Sequence, residues 1–344
     1  MSTESETATA FWIARPGRGE LRQEPLPPLP EGHVQVTTLY SGVSRGTESL
    51  VFHGHVPATE YQRMRAPFQA GDFPGPVKYG YASVARVDSG PDELVGRPVF
   101  CLHPHQDRYQ VPATAVTPLP EDLPPGRAVL AANMETAING IWDANIGPGD
   151  RVCVIGAGVV GALVAYLAAR IPGTRVTLAD IQQDRAALAQ ALGTAFARPG
   201  VAPGDQDRVI HVSGQPAGLE RALALAGDEG LVLEMSWYGD RTVALPLGEA
   251  FHARRLTLRS SQVGRLPPSH APRWDHRRRL ALALELLQDP VLEQLISGES
   301  DFTALPRVMP SLAEGAGQVL CHRIRYPAAM SNPDDFPGEA PCTR

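Results

Sequence analysis

The chain has 344 residues, of which 43% are hydrophobic and 20% charged, and its formal net charge is −6. This composition is sufficient for the cores of two ordinary domains, and the negative charge argues against non-specific nucleic-acid binding. Residues 1–9 are polar and acidic, unlike a signal peptide, and no apolar run is long enough to span a membrane. We therefore expect a cytoplasmic protein that acts on a small molecule.

Short strands separated by turns are predicted in the first third of the chain. They cover residues 10–14, 34–40, 81–87, 98–102 and 109–111. Proline and glycine, 33 of each in the chain, separate these runs. Many short strands with turn residues between them indicate a partly open β-barrel.

Alanine-rich helices alternate with apolar strands beyond residue 125. Helices are predicted at residues 128–145, 160–170, 184–192 and 219–226, and strands at residues 151–155, 175–179, 209–212, 231–235 and 256–260. This alternation is typical of a parallel sheet with crossover helices. A helix at 278–287, a strand at 319–326 and a flexible tail at 327–344 are predicted to follow.

A glycine motif lies between one of these strands and its helix. Residues 156–161 read GAGVVG, and the next strand ends at Asp180. The pattern G-x-G-x-x-G between a strand and a helix, with an acidic residue at the next strand end, predicts a dinucleotide site. Gly156 permits the tight turn, Gly158 lets the backbone approach the pyrophosphate, and Gly161 allows close helix packing. Val159 and Val160 complete the predicted contacts.

The residue at position 180 also predicts which dinucleotide binds. The Asp180 carboxylate would accept hydrogen bonds from the ribose hydroxyls and would repel a 2′-phosphate. NAD is therefore preferred over NADP, although Arg185 lies near enough to weaken that preference. The alternative interpretation, a glycine-rich turn without a ligand, is less favoured.

The four cysteines show no pattern of a disulfide framework or of a metal-binding knuckle. They are Cys101, Cys153, Cys321 and Cys342. Cys153 lies within an apolar strand-like run and is interpreted as a small core residue. A reducing compartment fits this usage best.

Beyond the dinucleotide motif, the whole chain from about residue 10 to 326 resembles the medium-chain dehydrogenase/reductase superfamily. The resemblance rests on residues 41–48 (SGVSRGTE), the pair Gly80-Tyr81, residues 96–99 (GRPV) and residues 147–150 (GPGD). It implies an α/β fold with a GroES-like, β-rich catalytic domain (1–124), a Rossmann domain with a doubly wound parallel sheet (125–265), and a return to the catalytic domain (266–344). Members of the superfamily commonly form homodimers, so a homodimer is expected.

The positions that hold zinc in many members of this superfamily carry other residues here. Ser44 or Arg45 stands in place of the cysteine ligand, Tyr81 in place of the histidine, and Ala131 or Ala132 near the third ligand. None of these side chains is a good zinc ligand, and the four-cysteine loop is absent. The chain is therefore identified as a zinc-free member, most similar in motif to the bacteriochlorophyllide dehydrogenase-like branch. A metal site built from His103, His105 and a carboxylate is the less favoured alternative.

Without zinc, hydrogen-bond donors or a general acid must stabilise the charge on the substrate oxygen. The resemblance places Tyr81, His103 and His105 near the substrate, and a nearby Lys78 ammonium would lower the pKa of Tyr81. It places Thr47 and Glu48 at positions whose residues in relatives transfer protons in a relay or contact the nicotinamide ribose. Structural alternatives remain open for these residues. Tyr81 could merely fill the volume left by zinc, the two histidines could be polar surface residues, and Glu48 could make a buried structural hydrogen bond.

Four further residues are predicted to contact the cofactor, again by resemblance. They are Arg45 at the pyrophosphate, Thr136 at the nicotinamide, and Ser236 and Gln262 in loops that follow nucleotide-domain strands. The sequence thus predicts a zinc-independent NAD(H)-linked oxidoreductase for a secondary alcohol and its ketone. The alternatives are an NAD(P)H-dependent enone or quinone reductase, and a non-catalytic dinucleotide-binding protein.

Overall fold

The computed structural model describes residues 6–315 and 319–329. Cys342 and all but the first three residues of the predicted flexible tail lie outside this range. Those three residues form a short 3-10 turn, Pro327–Ala329. Among the described residues, no helix is both long and apolar enough to cross a membrane.

The secondary structure follows the order predicted for a β-rich region and an alternating α/β region. The strands are β1 (Thr7–Arg15), β2 (Arg18–Pro25), β3 (His33–Val43), β4 (Ala70–Gly71), β5 (Val77–Lys78), β6 (Ser83–Ser89), β7 (Pro98–Cys101), β8 (Arg108–Pro112), β9 (Val116–Pro118), β10 (Arg151–Ile155), β11 (Arg175–Ala179), β12 (Ala195–Ala197), β13 (Gln206–His211), β14 (Ala226–Glu234), β15 (Thr257–Ser260), β16 (Ile296–Asp301) and β17 (Cys321–Arg325). The helices are α1 (Arg45–His53), α2 (Pro125–Ala128), α3 (Ala131–Ala144), α4 (Val159–Ala168), α5 (Arg185–Ala191), α6 (Pro216–Leu225), α7 (His276–Leu286) and α8 (Leu305–Ala313).

The chain divides into two compact units. The first comprises residues 1–132 and 280–344, and the second comprises residues 133–279. The divisions lie 8 and 14 residues beyond the positions 124 and 265 expected from the sequence. Two local contacts account for this shift: α2 packs against β3 in the first unit, and Arg279 is bonded to α3 within the second.

The first unit contains two β-sheets. One has the order β16-β17-β3-β6-β7-β9 with β8 paired to β3, and the other has the order β2-β1-β5-β4. Alternating valines of the larger sheet form a buried cluster that includes Val34, Val36, Val87 and Val111. The C-terminal return adds β17 antiparallel to β3, so residues far apart in sequence complete one sheet.

The second unit is built on a six-stranded sheet. Its order is β12-β11-β10-β13-β14-β15, and every neighbouring pair is parallel. Numbered within the unit, this is 3-2-1-4-5-6, the order of a doubly wound dinucleotide-binding sheet. Ligands of such sheets bind outside the carboxyl ends of the strands, where the order reverses. That position lies beside β10 and β13.

Several elements were not predicted from the sequence. The missed elements include α1, β2, β16 and α8. β2 is polar and mostly half-exposed, so it lacks an apolar period. The helix predicted at 128–145 is divided, because the Leu130 N–H donates to the Arg127 carbonyl in a tight turn between α2 and α3.

Candidate active site

Tyr81 lies in the segment between β5 and β6 of the first unit. Its side chain reaches the residues at the start of helix α1. The glycine before it has φ +137°, and a Cβ there would lie 3.1 Å from the His105 ring. Gly80 thus lets this segment pass close to the loop that carries His105. The half-buried Tyr81 side chain hydrogen-bonds to the hydroxyls of Ser44 and Thr47. Three hydroxyl groups therefore meet where the resemblance places a metal ligand.

The protonation of Tyr81 differs from the sequence prediction. Burial, and secondly the Glu48 carboxylate, raise the pKa of Tyr81 to about 12. The Lys78 ammonium does not lower it, because Lys78 Nζ lies 2.6 Å from Glu24 Oε2 and 2.9 Å from Gln106 Oε1. The prediction of a lowered pKa is wrong. Tyr81 is a protonated hydrogen-bond donor at neutral pH.

Glu48 and His105 form one buried hydrogen-bond chain. His105 Nε2 lies 2.9 Å from Glu48 Oε2, and His105 Nδ1 lies 2.7 Å from the Ser41 hydroxyl. The Ser41 hydroxyl in turn lies 3.1 Å from the Tyr326 hydroxyl. The other Glu48 oxygen accepts the Ser44 backbone N–H at 2.7 Å. Both ring nitrogens and both carboxylate oxygens are therefore engaged, and the chain ties helix α1 to β3 and to the C-terminal segment.

His103 does not join this chain. Its ring stacks on Tyr109 with centroids 3.6 Å apart, and its Nδ1 donates to the Pro104 carbonyl over 2.9 Å. Burial lowers the pKa of His103 to about 3. The imidazole is neutral at physiological pH, so a proton-shuttle role is not supported, and we interpret His103 as a packing residue.

The pKa of His103 predicts an acid-dependent loss of stability. Its folded pKa, about 3, lies below its usual 6.5, so the unfolded chain binds this proton first as the pH falls. The contribution of the neutral His103 ring to the free energy of unfolding is complete above pH 6.5. As the pH falls from 6.5 to about 3, this contribution decreases by up to about 1.4 kcal/mol per pH unit. We expect His103→Phe to weaken the pH dependence of urea unfolding between pH 7 and 5. If the free energy of unfolding of the variant depended on pH as steeply as that of the wild type, the assignment of His103 as a buried, neutral residue would be contradicted.

The residues around Tyr81 do not fit a zinc ion. The nearest side chains offer hydroxyls, and the Glu48 and His105 atoms that could bind metal are already hydrogen-bonded. Burial raises the pKa of the Cys101 thiol to about 12, so it is not a thiolate. Within residues 6–315 and 319–329, no group of three or more His, Cys, Asp or Glu side chains could hold a metal ion. At the alternative site, both ring nitrogens of His105 are already hydrogen-bonded.

The glycine motif of the second unit has the geometry of a phosphate-binding turn. Gly156 has φ +110°, and a Cβ at Gly161 would lie 1.8 Å from the Gly156 carbonyl oxygen. Nothing lies within 4 Å of the corresponding position at Gly158, which leaves its backbone open to a ligand. Val159 and Val160 begin α4, whose first N–H groups lack intrahelical partners. These residues therefore fit a dinucleotide pyrophosphate.

Asp180 supports this turn through both of its carboxylate oxygens. Its Oδ2 accepts the Ala157 N–H at 2.7 Å, and its Oδ1 accepts the Gln182 N–H at 2.8 Å. Each oxygen retains a second lone pair for a hydroxyl. Arg185 is buried at the start of α5. Ile181, directly after Asp180, is 72% exposed, and the sequence did not single it out.

A polar cluster at the ends of β13 and β14 was also missed. His211 is fully buried, with Nδ1 2.7 Å from Glu234 Oε2 and Nε2 2.6 Å from the Ser213 hydroxyl. The second Glu234 oxygen accepts the N–H of Ser236 at 2.6 Å. The cluster therefore fixes the loop of Ser236, a predicted cofactor contact, at the carboxyl edge of the sheet.

The remaining predicted contacts occupy different surroundings. Arg45 Nη1 donates to the Val319 carbonyl over 2.8 Å, which ties α1 to the C-terminal segment. Thr136 is half-buried on α3, and Gln262 is exposed in the loop after β15, where its Oε1 accepts the Gly264 N–H at 2.8 Å. The structure thus unites Tyr81, Thr47, Glu48 and His105 in the first unit. The glycines and Asp180 form a separate group in the second.

Known proteins resemble the chain in parts of its sequence and throughout its fold. No protein-family model matches it. D-guloside 3-dehydrogenase of Escherichia coli strain K12 is 27% identical over 184 residues, which are 49% of this chain and 53% of that protein. The chain spans about a third to a half of the length of the curated relatives it matches.

Two solved structures resemble nearly the whole chain. A zinc-binding dehydrogenase from Sinorhizobium meliloti 1021, bound to NADP, has a TM-score of 0.74 and 19% identity over 93% of this chain and 99% of its own. An alcohol dehydrogenase from Escherichia coli CFT073, in complex with NADH, has a TM-score of 0.72 and 16% identity over the same shares. The chain therefore has the fold of the medium-chain dehydrogenases, with a GroES-like β-rich unit and a Rossmann unit.

Proposed function

We propose that the protein is a zinc-independent, NAD(H)-linked oxidoreductase that interconverts a secondary alcohol and a ketone. The observation that carries the proposal is the protonated Tyr81 hydroxyl, which Ser44 and Thr47 support where relatives place a metal ligand. A hydrogen-bond donor at this position can stabilise a developing alkoxide as a metal would. D-guloside 3-dehydrogenase and the NADH-bound alcohol dehydrogenase, which resemble the chain, are consistent with alcohol chemistry.

The residues of the first unit would handle the proton of the reaction. A bound nicotinamide supplies or accepts the hydride. In the direction of reduction, Tyr81 donates its hydrogen bond to the ketone oxygen and then gives up its proton as the oxygen becomes an alkoxide. The pKa of the Tyr81 hydroxyl is about 12, so an alkoxide is a stronger base than the Tyr81 phenolate and the proton transfer is favourable. The hydroxyls of Ser44 and Thr47 then stabilise the phenolate until solvent returns a proton.

The Glu48–His105–Ser41 chain would hold this arrangement in place. Glu48 bonds the backbone at the start of α1, and His105 fixes the carboxylate from the other side. Because α1 also carries Thr47, the chain fixes the position of a hydroxyl that supports Tyr81. We therefore propose Glu48 and His105 as positioning residues, with Tyr81 in contact with the reacting oxygen and Thr47 supporting the Tyr81 hydroxyl.

The cofactor preference follows from Asp180. Its negative charge disfavours a 2′-phosphate, and the nearby Arg185 is buried rather than displayed at the surface. Titration of the purified protein with NADH and with NADPH, followed by energy transfer from tryptophan, tests the preference. Tighter binding of NADH supports the proposal. Tighter binding of NADPH would favour an enone or quinone reductase, and binding of neither would favour the non-catalytic alternative.

Zinc independence predicts that a chelator has no effect on activity. We expect dialysis against EDTA to leave the ketone-reducing rate unchanged, because the donors around Tyr81 are hydroxyls rather than zinc ligands. Metal content, measured by mass spectrometry on the same sample, should be far below one zinc per chain. Stoichiometric zinc whose removal abolishes activity would refute the prediction.

We also propose that the protein forms a homodimer through β15. This strand is the last of the six-stranded sheet, and all four of its residues are exposed, including Leu258 at 36%. The outer backbone groups of an edge strand can pair with those of a second copy and continue the sheet. Light scattering should give twice the chain mass for the wild type and the chain mass for Leu258→Lys.

A further inference from the structure

Helix α3 carries a polar stripe whose first two residues are buried and whose third is half-buried. Glu135, Asn139 and Asp143 recur every fourth residue and therefore share one face of the helix. Glu135 is 5% exposed and Asn139 is fully buried. The adjacent residues Met134 and Ala137 are buried in the usual apolar manner. A polar face in such surroundings must satisfy its hydrogen bonds within the protein.

Arg279 supplies those bonds and extends them to the loop after β15. Its Nε lies 3.1 Å from Glu135 Oε1, and its Nη1 donates to Asn139 Oδ1 over 2.6 Å. Its Nη2 donates to the Val263 carbonyl over 2.7 Å. Arg279 is 2% exposed. A single buried arginine therefore bridges two turns of α3 and a loop carbonyl.

The other end of the same loop is held by Asp143. The Ser261 hydroxyl donates to Asp143 Oδ2 over 2.6 Å, and the Asn139 side-chain amide donates to the same oxygen over 2.9 Å. Ser261 and Val263 flank Gln262, whose side chain is exposed. The residue before Gln262 is thus fixed to α3 directly, and the residue after it is fixed through Arg279.

A buried ion pair is weak evidence for a purely stabilising role. Burial of an ion pair costs free energy that well-packed apolar residues would avoid, and replacing such a pair by apolar residues often leaves stability unchanged. Burial raises the pKa of Glu135, although Arg279 opposes the shift. The directed contacts on either side of Gln262 therefore point to control of loop geometry.

We propose that Arg279, held by Glu135 and Asn139, is a positioning residue that sets the loop 261–264 to receive the carboxamide of the nicotinamide. This proposal rests on the proposed function. A carboxamide presents one donor side and one acceptor side, so a loop that binds it must keep its own groups at fixed positions. The adenosine half of the cofactor, bound at Asp180 and the glycine turn, needs no such loop.

A paired substitution tests the proposal without leaving a buried charge. In Glu135→Met/Arg279→Met both charges are removed together, so we expect the melting temperature to stay near that of the wild type. The dissociation constant for NADH should rise about tenfold, the equivalent of one well-made hydrogen bond. The dissociation constant for ADP-ribose, which lacks the nicotinamide, should stay within about twofold. Arg279→Lys, which cannot span the three acceptors, should show the same selective effect.

Arg254→Met is the matched control. Arg254 also donates to backbone carbonyls in the second unit, those of Ala224 and Ala226, but at the amino end of β14, whereas the loop 261–264 follows the carboxyl end of β15. It should alter neither dissociation constant. Equal weakening of NADH and ADP-ribose by the paired variant, or no weakening of either, would overturn the positioning role. Failure of the wild type to bind NADH or ADP-ribose would instead overturn the proposed cofactor, and with it this proposal.

Discussion

Gly161→Ala should abolish dinucleotide binding and destabilise the Rossmann unit. A methyl group at this position would lie 1.8 Å from the Gly156 carbonyl oxygen, and two backbone segments would have to separate. Overpacking against backbone costs about 3 kcal/mol or more, because no side chain can rotate away. Thermal unfolding and NADH titration of the variant would measure both effects.

Gly158→Ala is the matched control for the fold, because it adds the same methyl group at a nearby position where that group meets no other atom. Gly158 has φ −73° and no neighbour within 4 Å of a Cβ. We expect this variant to keep the wild-type melting temperature and to bind NADH more weakly, since the methyl group would occupy space that the pyrophosphate needs. A stable Gly161→Ala protein with normal NADH affinity would contradict the assignment of the turn.

Tyr81→Phe should lower kcat for ketone reduction by about 100-fold to 1,000-fold, the usual effect of removing one donor to a developing oxyanion. The KM of the ketone and the dissociation constant of NADH should change little, because the hydrogen bond strengthens chiefly in the transition state. Steady-state kinetics with a simple ketone would measure the effect. Tyr61→Phe, the same chemical change at a half-buried tyrosine whose ring packs on Phe73, is the matched control.

The pKa of Tyr81 adds a pH signature to this prediction. The hydroxyl keeps its proton until the pH approaches about 12, so its contribution should persist from neutral pH to pH 10 and be lost only above that range. The ratio of wild-type to Tyr81→Phe rates should therefore be constant between pH 7 and 10. A ratio that falls towards one in this interval would show that Tyr81 ionises there and does not act as the donor.

The parts of the fold that sequence predicted well depend on local pattern. The turn at 156–161 joins a short apolar strand to a helix, and the structure shows the steric need for glycine at Gly156 and Gly161. The parallel sheet was expected from alternating strands and helices, and its observed order agrees with the predicted doubly wound class. Polar β2 and the short α1 were missed because neither shows a clear apolar period.

The chemistry of the site could not be derived in the same way. His103 and His105 are two residues apart, yet one stacks on Tyr109 and the other bonds to Glu48, 57 residues away. No spacing in the sequence distinguishes them, since the long-range pairing of strands decides which ring meets a carboxylate. Similarly, the raised pKa of Tyr81 reflects burial, which Lys78 could not offset once it paired with Glu24.

One missed feature did have a signal in the sequence. His211 and Glu234 are the last residues of neighbouring parallel strands and stand opposite each other in register. Polar residues that end adjacent strands of a doubly wound sheet meet at its ligand-binding edge. Alignment of the predicted strands at 209–212 and 231–235 by their ends would have placed His211 and Glu234 together.

The most direct test of zinc-independent, NAD(H)-linked alcohol and ketone chemistry is a single rate measurement. Oxidation of NADH by the EDTA-treated protein would be followed at saturating concentrations of a panel of simple and aryl ketones. We predict turnover of at least one ketone with NADH in the presence of the chelator. Turnover that appears only after zinc is added, or only with NADPH and a conjugated enone, would contradict the account.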